Sequence, residues 1–455
     1  MTTCTPRAAW GNLLRRLHFY IGLFIGPFIF IAAFTGTLYV ATPQIEHYLY
    51  RQALHGEITG EPQPLAEQIA AAEKALSAPL PVQAIRPGLA QGETTRVMFA
   101  DPTLGPSESR AIFIDPVSLA VRGDFTVYGT SGILPLRQKI DYLHRSLMLG
   151  DPGRLYSELA ASWMWIAALG GIALWFYSRP KRRIQNRFQS RRRLHVSLGW
   201  VLLAGMLLFS ATGLTWSQWA GGNVDKLRAE MNWLTPQVNT TLNGPAHAMD
   251  AHAEHHGHDS GMMMPDRESD LTQFDTVLQA ARRAGIDADK LEIRPAKQAS
   301  QAWTVTEIDR RWPTQVDAVA VDPLSMQVVD RTRFDDFPLM AKLTRWGVDF
   351  HMGILFGLAN QLALIAFGAA LCVLIIWGYR LWWMRRPARS SGNPVQTLCQ
   401  CWLDLTVNGR VISLAVSCLL AVAMPVLGCS LLLFVLIDWQ RWRLHSALPL
   451  INETK

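Results

Sequence analysis

Four histidines fall at matching positions in a sequence that repeats itself: His18, His144, His195 and His351. His18 stands at the head of LHFYIGLFIGPFIFIAAFTGTLYV and His195 at the head of LHVSLGWVLLAGMLLFSATGLTWS. The offset is 177 residues, and Gly22/Gly199, Thr35/Thr212 and Gly36/Gly213 share it. His144 lies in LHRSLMLG and His351 in FHMGILFG, at an offset of 207 kept by Gly150/Gly357, Arg179/Arg386 and Pro180/Pro387. Each histidine sits at or near the edge of an apolar run.

Neutral imidazole is a good axial ligand for haem iron, and two imidazoles on one iron favour outer-sphere electron transfer over O₂ binding. His18 and His195 open runs that travel in one direction, so they lie at one depth. His144 and His351 precede the return runs and lie towards the opposite face. Pairing His18 with His195, and His144 with His351, would place one bis-histidine haem near each face, a path for electrons across a bilayer. A single histidine beside arginine at a membrane edge ordinarily contacts headgroups or a backbone carbonyl; the duplication of both pairs is what favours the ligand reading. The outer haem lies at headgroup level or in the extracytoplasmic domain, because the polar stretch RSLMLGDPGRLYSE separates His144 from its apolar run. Gly22, Gly26, Gly36, Gly199, Gly205 and Gly213 would leave room for a flat macrocycle, and they equally suit close helix contacts. Arg145, Arg154 and Arg345 could pair with haem propionates, with phosphate headgroups as the alternative.

The elements that must hold these residues can be read from the apolar pattern. The chain has 455 residues, is 49% hydrophobic and gathers its apolar residues in blocks, as membrane proteins do. Spans are expected over residues 17–40, 155–177, 194–216 and 354–377, each long enough to cross a hydrocarbon core of roughly 30 Å. A fifth apolar segment, 411–437, carries Pro425 and Gly428 at its centre and reads as a kinked span or a re-entrant hairpin. The first run lacks a clear cleavage site and should stay as an anchor. Arg7, Arg15 and Arg16 precede the first span, RPKRRIQNRFQSRRR separates the second from the third, and Arg385, Arg386 and Arg389 come after the fourth. These regions should be cytoplasmic, so the net charge of +7 is mostly a topology signal and not a nucleic-acid surface. The expected order is therefore 1–40 (N-terminus and first span), 41–154 outside, 155–177, a basic loop at 178–193, 194–216, 217–353 outside, 354–377, a cytoplasmic loop at 378–410, and the segment 411–455. This makes a multi-pass membrane protein. The outer segments contain no cysteine, so no disulfide framework exists there.

The two outer segments also match. PLAEQIAAAEKAL, PVQAIRPG, TTRVMFA, SRAIFIDP and AVRGDFT answer to LTQFDTVLQAARRAGI, KLEIRPA, AWTVTEI, DAVAVDP and QVVDRTRF. Each reads as one helix and then short alternating strands, a small α+β module with a curled antiparallel sheet. Asp115-Pro116 and Asp322-Pro323 share the 207 offset and should end a strand in a turn. The second half is longer by a polar tract rich in His and Met, including His247, His252, His255, His256, His258, Met249, Met262, Met263 and Met264. Imidazole with thioether suits copper, Cu(I) in particular. A solvated linker of drifted composition is the equal alternative.

Taken in order, LHFYIGLFIGPFIFIAAFTGTLY, IDYLHRSLMLG, RRRLHVSLGW, FHMGILFGLANQ and the two Asp-Pro modules resemble the PepSY-associated transmembrane family of bacterial inner-membrane proteins, which includes iron-regulated membrane proteins and ferric-siderophore reductases. The resemblance runs to about Pro387. It implies a four-helix membrane core with two PepSY-like modules, two b haems on His18, His195, His144 and His351, and reduction of a ferric complex outside the cytoplasm. The His/Met tract departs from that pattern and raises copper. No dinucleotide fingerprint, Walker loop, serine elbow or HExxH is present, so electrons must come from a quinol or a separate reductase. Three functions are compatible with these features: a ferric-chelate reductase serving iron uptake, a copper reductase or copper binder, and a non-enzymatic PepSY regulator. For topology, a reporter fused near Arg187 should be active only if it works in cytoplasm; alkaline phosphatase activity there would reverse the arrangement.

Overall fold

The computed structural model describes residues 5–177, 187–242, 270–385 and 397–452. The insert ligands named above, His252, His255, His256, His258, Met262, Met263 and Met264, lie outside the described residues, as do His247 and Met249. The helices are α1 (Pro6–Tyr20), α2 (Gly26–Leu49), α3 (Arg51–Leu54), α4 (Leu65–Lys74), α5 (Pro135–Ser146), α6 (Arg154–Tyr177), α7 (Arg187–Thr215), α8 (Trp219–Glu230), α9 (Thr272–Arg283), α10 (Leu339–His351), α11 (Gly357–Arg385), α12 (Leu398–Leu403), α13 (Val407–Ala423) and α14 (Pro425–Asn452). Four described segments are long and apolar enough to cross a membrane: Pro6–Leu49, Asp151–Tyr177, Arg187–Thr215 and Gly357–Met384. The chain divides into two compact units. The first holds Met1–Leu38, Tyr142–Leu227 and Leu362–Lys455; the second holds Tyr39–Asp141 and Arg228–Gln361.

The first unit is helical. Its core interleaves Ile21, Ile25 and Ile29 with Ala160, Trp163 and Met164, Leu202 and Met206, and Leu371 and Leu374. Lipid tails are as apolar as leucine, so close packing and interhelical hydrogen bonds must hold such helices together. Both are present. A Cβ on Gly368 would fall 2.1 Å from Thr37 Oγ1, and one on Gly205 would fall 2.2 Å from the Phe367 ring, so these glycines let two helix crossings close. The Ser210 hydroxyl donates to the Ala161 carbonyl. Between α1 and α2 the helix widens to a π turn, Ile21–Ile25. Such a turn breaks the i→i−4 ladder, and the Leu23 carbonyl within it accepts from Tyr379 Oη at 2.7 Å.

The fifth apolar segment is two helices. The ladder stops at Met424, where Pro425 cannot donate, and a Cβ on Gly428 would lie 2.5 Å from the Ala421 Cβ. The resulting hairpin packs α14 into the core through Leu427 and Phe434, and Trp163 Nε1 donates to Ser430 Oγ at 2.8 Å.

The second unit holds the strands β1 (Val82–Arg86), β2 (Thr95–Phe99), β3 (Glu108–Ile114), β4 (Val121–Tyr128), β5 (Leu291–Arg294), β6 (Trp303–Glu307), β7 (Ala318–Val321) and β8 (Val328–Thr332). Two separate sheets were expected; there is one of eight strands, in the order β4-β3-β2-β1-β5-β6-β7-β8. The halves join antiparallel between β1 and β5 at Ile85 opposite Ile293. Joining covers two edges that would otherwise stand open. Ile69 and Ala72 of α4 and Phe274 and Val277 of α9 cover one face and share a core with Ile85 and Ile293. The Asp275 carboxylate accepts from Leu65 N (2.8 Å) and Ala66 N (3.0 Å), so α9 satisfies orphan donors at the start of α4. The Asp-Pro turns repeat in detail. Leu119 N donates to Asp115 O and Met326 N to Asp322 O, and Leu119 and Met326, 207 residues apart, both take positive φ (59° and 55°).

Beside the seam, Glu292 is buried and bridges Arg86 and Arg294 at 2.7 and 2.5 Å. Burial alone would raise its pKa, but the two guanidiniums outweigh that and hold it below the usual carboxylate range. A depressed folded pKa gives stability that is present above the unfolded value, about 4.3, and is lost as pH falls through the folded one. Glu292→Gln should therefore cost on the order of 3 kcal/mol at pH 7 in detergent melts. The gap from the unsubstituted protein should close below about pH 4. An equal gap at pH 7 and pH 3.5 would show that the charge is not what matters.

Candidate haem-ligand sites

His195 lies on α7, and its Nδ1 stands 3.2 Å from the Leu374 carbonyl of α11. A carbonyl only accepts, so Nδ1 carries the proton and Nε2 keeps its lone pair. His144 lies on α5, and its Nδ1 stands 3.0 Å from Thr35 Oγ1 on α2. The Thr35 hydroxyl already donates to the Ile31 carbonyl at 2.7 Å, so its oxygen accepts from Nδ1–H, and Nε2 is again bare. Two of the four candidate histidines are thus held in the tautomer a metal ligand needs. Burial pushes His144 down to about 4, so it stays neutral at pH 7. Its own carbonyl accepts from Tyr156 Oη at 2.6 Å, which fixes the backbone as well.

His18, on α1, lies against α6. Its Cε1 would be 3.3 Å from a Cβ on Gly171, just as His195 Cε1 would be 3.6 Å from one on Gly378. Gly171 and Gly378 are 207 residues apart, as are Ala167 and Leu374. The repeat therefore extends from the histidines to the helix surfaces that carry them. The Ala167 carbonyl acts on His18 electrostatically but stands outside bonding geometry, and the buried Nδ1 has no hydrogen-bond partner among the described residues. His18 and His195 are electrostatic neighbours within the first unit. His351 closes α10 in the second unit, apart from the unit that holds the other three. Its chain reversal is tied by Asn360, whose Nδ2 donates to the Phe350 carbonyl at 3.1 Å.

The glycines separate into two groups. Gly22 and Gly199, one helical turn beyond His18 and His195, have nothing within 4 Å of a Cβ position. Gly22 is exposed and Gly199 half-buried, so both positions border open space. Gly36 lies 3.2 Å from His144 Cε1 by the same measure, and Gly26 lies 3.5 Å from the Tyr379 ring. Gly205 and Gly213 meet Phe367 and the Ala161 Cβ and serve packing.

The arginines considered for propionates have protein contacts. Arg154 donates to the Trp216 carbonyl at 2.9 Å, Arg345 pairs with Asp349 at 3.3 Å, and the Arg145 guanidinium lies 5.6 Å from the centroid of the Tyr142 ring. Among the described residues no three His, Cys, Asp or Glu side chains group to hold a bare metal ion.

Sequence reasoning passed over Thr35 as a partner of His144. It also passed over Ala167, Leu374, Gly171 and Gly378, although the 207 offset applied to the second and fourth spans marks all four. The π turn left no sequence signal.

Four described segments long and apolar enough to cross a bilayer, packed into one helical core, define a multi-pass membrane protein. Residues 15–385 match the family described as PepSY-associated TM region, and the chain belongs to that family. No curated protein matches it.

The tautomers give a direct test. In ¹⁵N-histidine spectra of haem-free protein at pH 7, His144 and His195 should show a protonated Nδ1 and an unprotonated Nε2, with His144 charging only near pH 4. A protonated Nε2 on either ring would contradict the assignment.

Proposed function

We propose that the chain is a di-haem reductase of a bacterial inner membrane that carries electrons outward to a ferric chelate or siderophore, releasing Fe(II) for uptake. The observation that carries this reading is the pair of hydrogen bonds that leave Nε2 bare on His195 and His144. Family membership, the open faces at Gly22 and Gly199, and the closeness of His18 to His195 support it. His18 and His195 would hold one haem b, and His144 and His351 the other.

Bound haem would supply one-electron transfer without bond making. The protein's own contribution is orientation. The Leu374 carbonyl and the Thr35 hydroxyl retain the Nδ1 protons, which fixes the rings and makes Nε2 the more basic donor. Gly171, Gly378 and Gly36 let neighbouring helices approach the rings to van der Waals contact. The bilayer and the packed core keep water away from the inner pair. A quinol or a separate reductase would donate on the cytoplasmic side. Reduction loosens iron because hard oxygen donors hold Fe(III) far better than Fe(II).

Purified protein should be red, with a low-spin spectrum. By pyridine haemochrome, His18→Ala and His195→Ala should each cost the same haem, and His144→Ala and His351→Ala the other. The double variant within a pair should lose little more than a single one, and a double across pairs should lose both haems. Gly199→Leu, whose Cβ would meet no protein atom within 4 Å, should cost the first haem. Four independent losses, or none, would sink the pairing. Dithionite-reduced protein should reoxidise with ferric siderophore. Reoxidation by Cu(II) alone would favour the copper reading, and colourless protein the regulator.

A further inference from the structure

The family match ends at residue 385, and the helical hairpin begins beyond it. This extension reaches the helix that carries His18. Asp438 of α14 is 1% exposed, inside a unit that spans the membrane, where an acidic side chain is costly and calls for a role. Both of its oxygens are engaged. Oδ1 accepts from Tyr20 Oη, and Oδ2 accepts from Cys399 N, in the first turn of α12, at 2.9 Å. Tyr20 is two residues after His18 and is the last residue before the π turn. Phe434, one turn before Asp438 on α14, lies 6.4 Å from the Tyr20 ring, 5.6 Å from Phe24 and 5.6 Å from Trp163. Trp163 is on α6, the helix that faces His18.

A π turn inserts one residue into a helix and rotates the N-terminal portion about the axis by roughly 100° relative to the C-terminal portion. The direction of His18 is therefore not set by α2, however well α2 is packed. It depends on what grips the chain at the turn. Beside the packing of Ile21 and Ile25 in the core, two hydrogen bonds do so: Tyr379 Oη on the Leu23 carbonyl, from within the family region, and Tyr20 Oη on Asp438, from the extension. His144 has no share in this arrangement. Its ring is fixed by Thr35, well along α2 from the turn.

We propose that Asp438 is a positioning residue for His18: through Tyr20 the C-terminal hairpin sets the direction in which α1 presents that imidazole, and so governs the His18–His195 half of the site alone. The proposal rests on the di-haem reading for its consequence, and on the hydrogen bonds alone for its geometry.

Three full-length variants test it. Asp438→Leu removes both acceptors. Asp438→Asn keeps an acceptor for Tyr20 and loses the charge. Tyr20→Phe keeps the ring and loses only the donor. In haem-free protein, Asp438→Leu and Tyr20→Phe should shift the ¹⁵N resonances of His18 and leave those of His144 in place, and Asp438→Asn should restore the His18 signal largely or wholly. In haem-loaded protein the same two variants should change the low-spin g values and midpoint potential of one haem of the two, with roughly 10-fold weaker retention of that haem. Unchanged His18 signals in both Asp438→Leu and Tyr20→Phe would overturn the proposal. So would equal disturbance of His18 and His144 in both, which would mean a general structural role. If the unsubstituted protein binds no haem, the di-haem reading fails, and the haem-free spectra still decide whether Asp438 positions His18.

Discussion

A neutral imidazole always has one bare nitrogen, and the acceptor that holds the other nitrogen's proton decides which one it is and where it points. The candidate site depends on this constraint. For His195 the acceptor is a backbone carbonyl on another spanning helix, and for His144 it is a hydroxyl whose own proton is committed elsewhere. Neither acceptor lies on the histidine's own helix. The chemistry of each ring is thus decided by how two helices pack.

That dependence explains where the small residues fall. Helices inside a bilayer gain little from burying apolar surface against one another, so closeness must come from shape. At Gly368 and Gly205 closeness serves the crossing itself. At Gly171, Gly378 and Gly36 it brings a helix surface to the edge of an imidazole, and at Gly22 and Gly199, four residues beyond a histidine, the helix borders open space. One residue type does three tasks, and only the neighbours tell them apart. The sheet unit relies on other means: a shared apolar core, a carboxylate that satisfies the first turn of a partner helix, and a buried acid bridged by two arginines.

Much of this was legible in the sequence because the chain states it twice. Two offsets located the four histidines, the spans and the paired Asp-Pro turns, and the turns agree down to the residues with positive φ. The partners of the rings were legible in principle, since Ala167/Leu374 and Gly171/Gly378 obey the same offset, but a carbonyl has no letter in a sequence. The union of the two sheets was not legible, because the Ile85–Ile293 pairing joins distant stretches of chain through backbone groups that every residue possesses. The π turn was hidden for a related reason: it is chosen by what grips the helix from outside. Pro425 and Gly428 did mark the break in the fifth segment, and the tight approach of Gly428 to Ala421 shows why glycine stands there.

The seam between β1 and β5 has a further consequence, for descent. Either half of this chain made alone would expose a further strand edge, β1 or β5, flanked by its own helix and apolar face. The cheapest cover for such an edge is an identical edge turned about a twofold axis, which pairs antiparallel just as β1 and β5 do. The present molecule has the architecture of a homodimer whose two subunits have become one polypeptide. The halves are not identical: one carries a His/Met tract, and beyond both the chain carries a hairpin whose buried acid reaches the first helix.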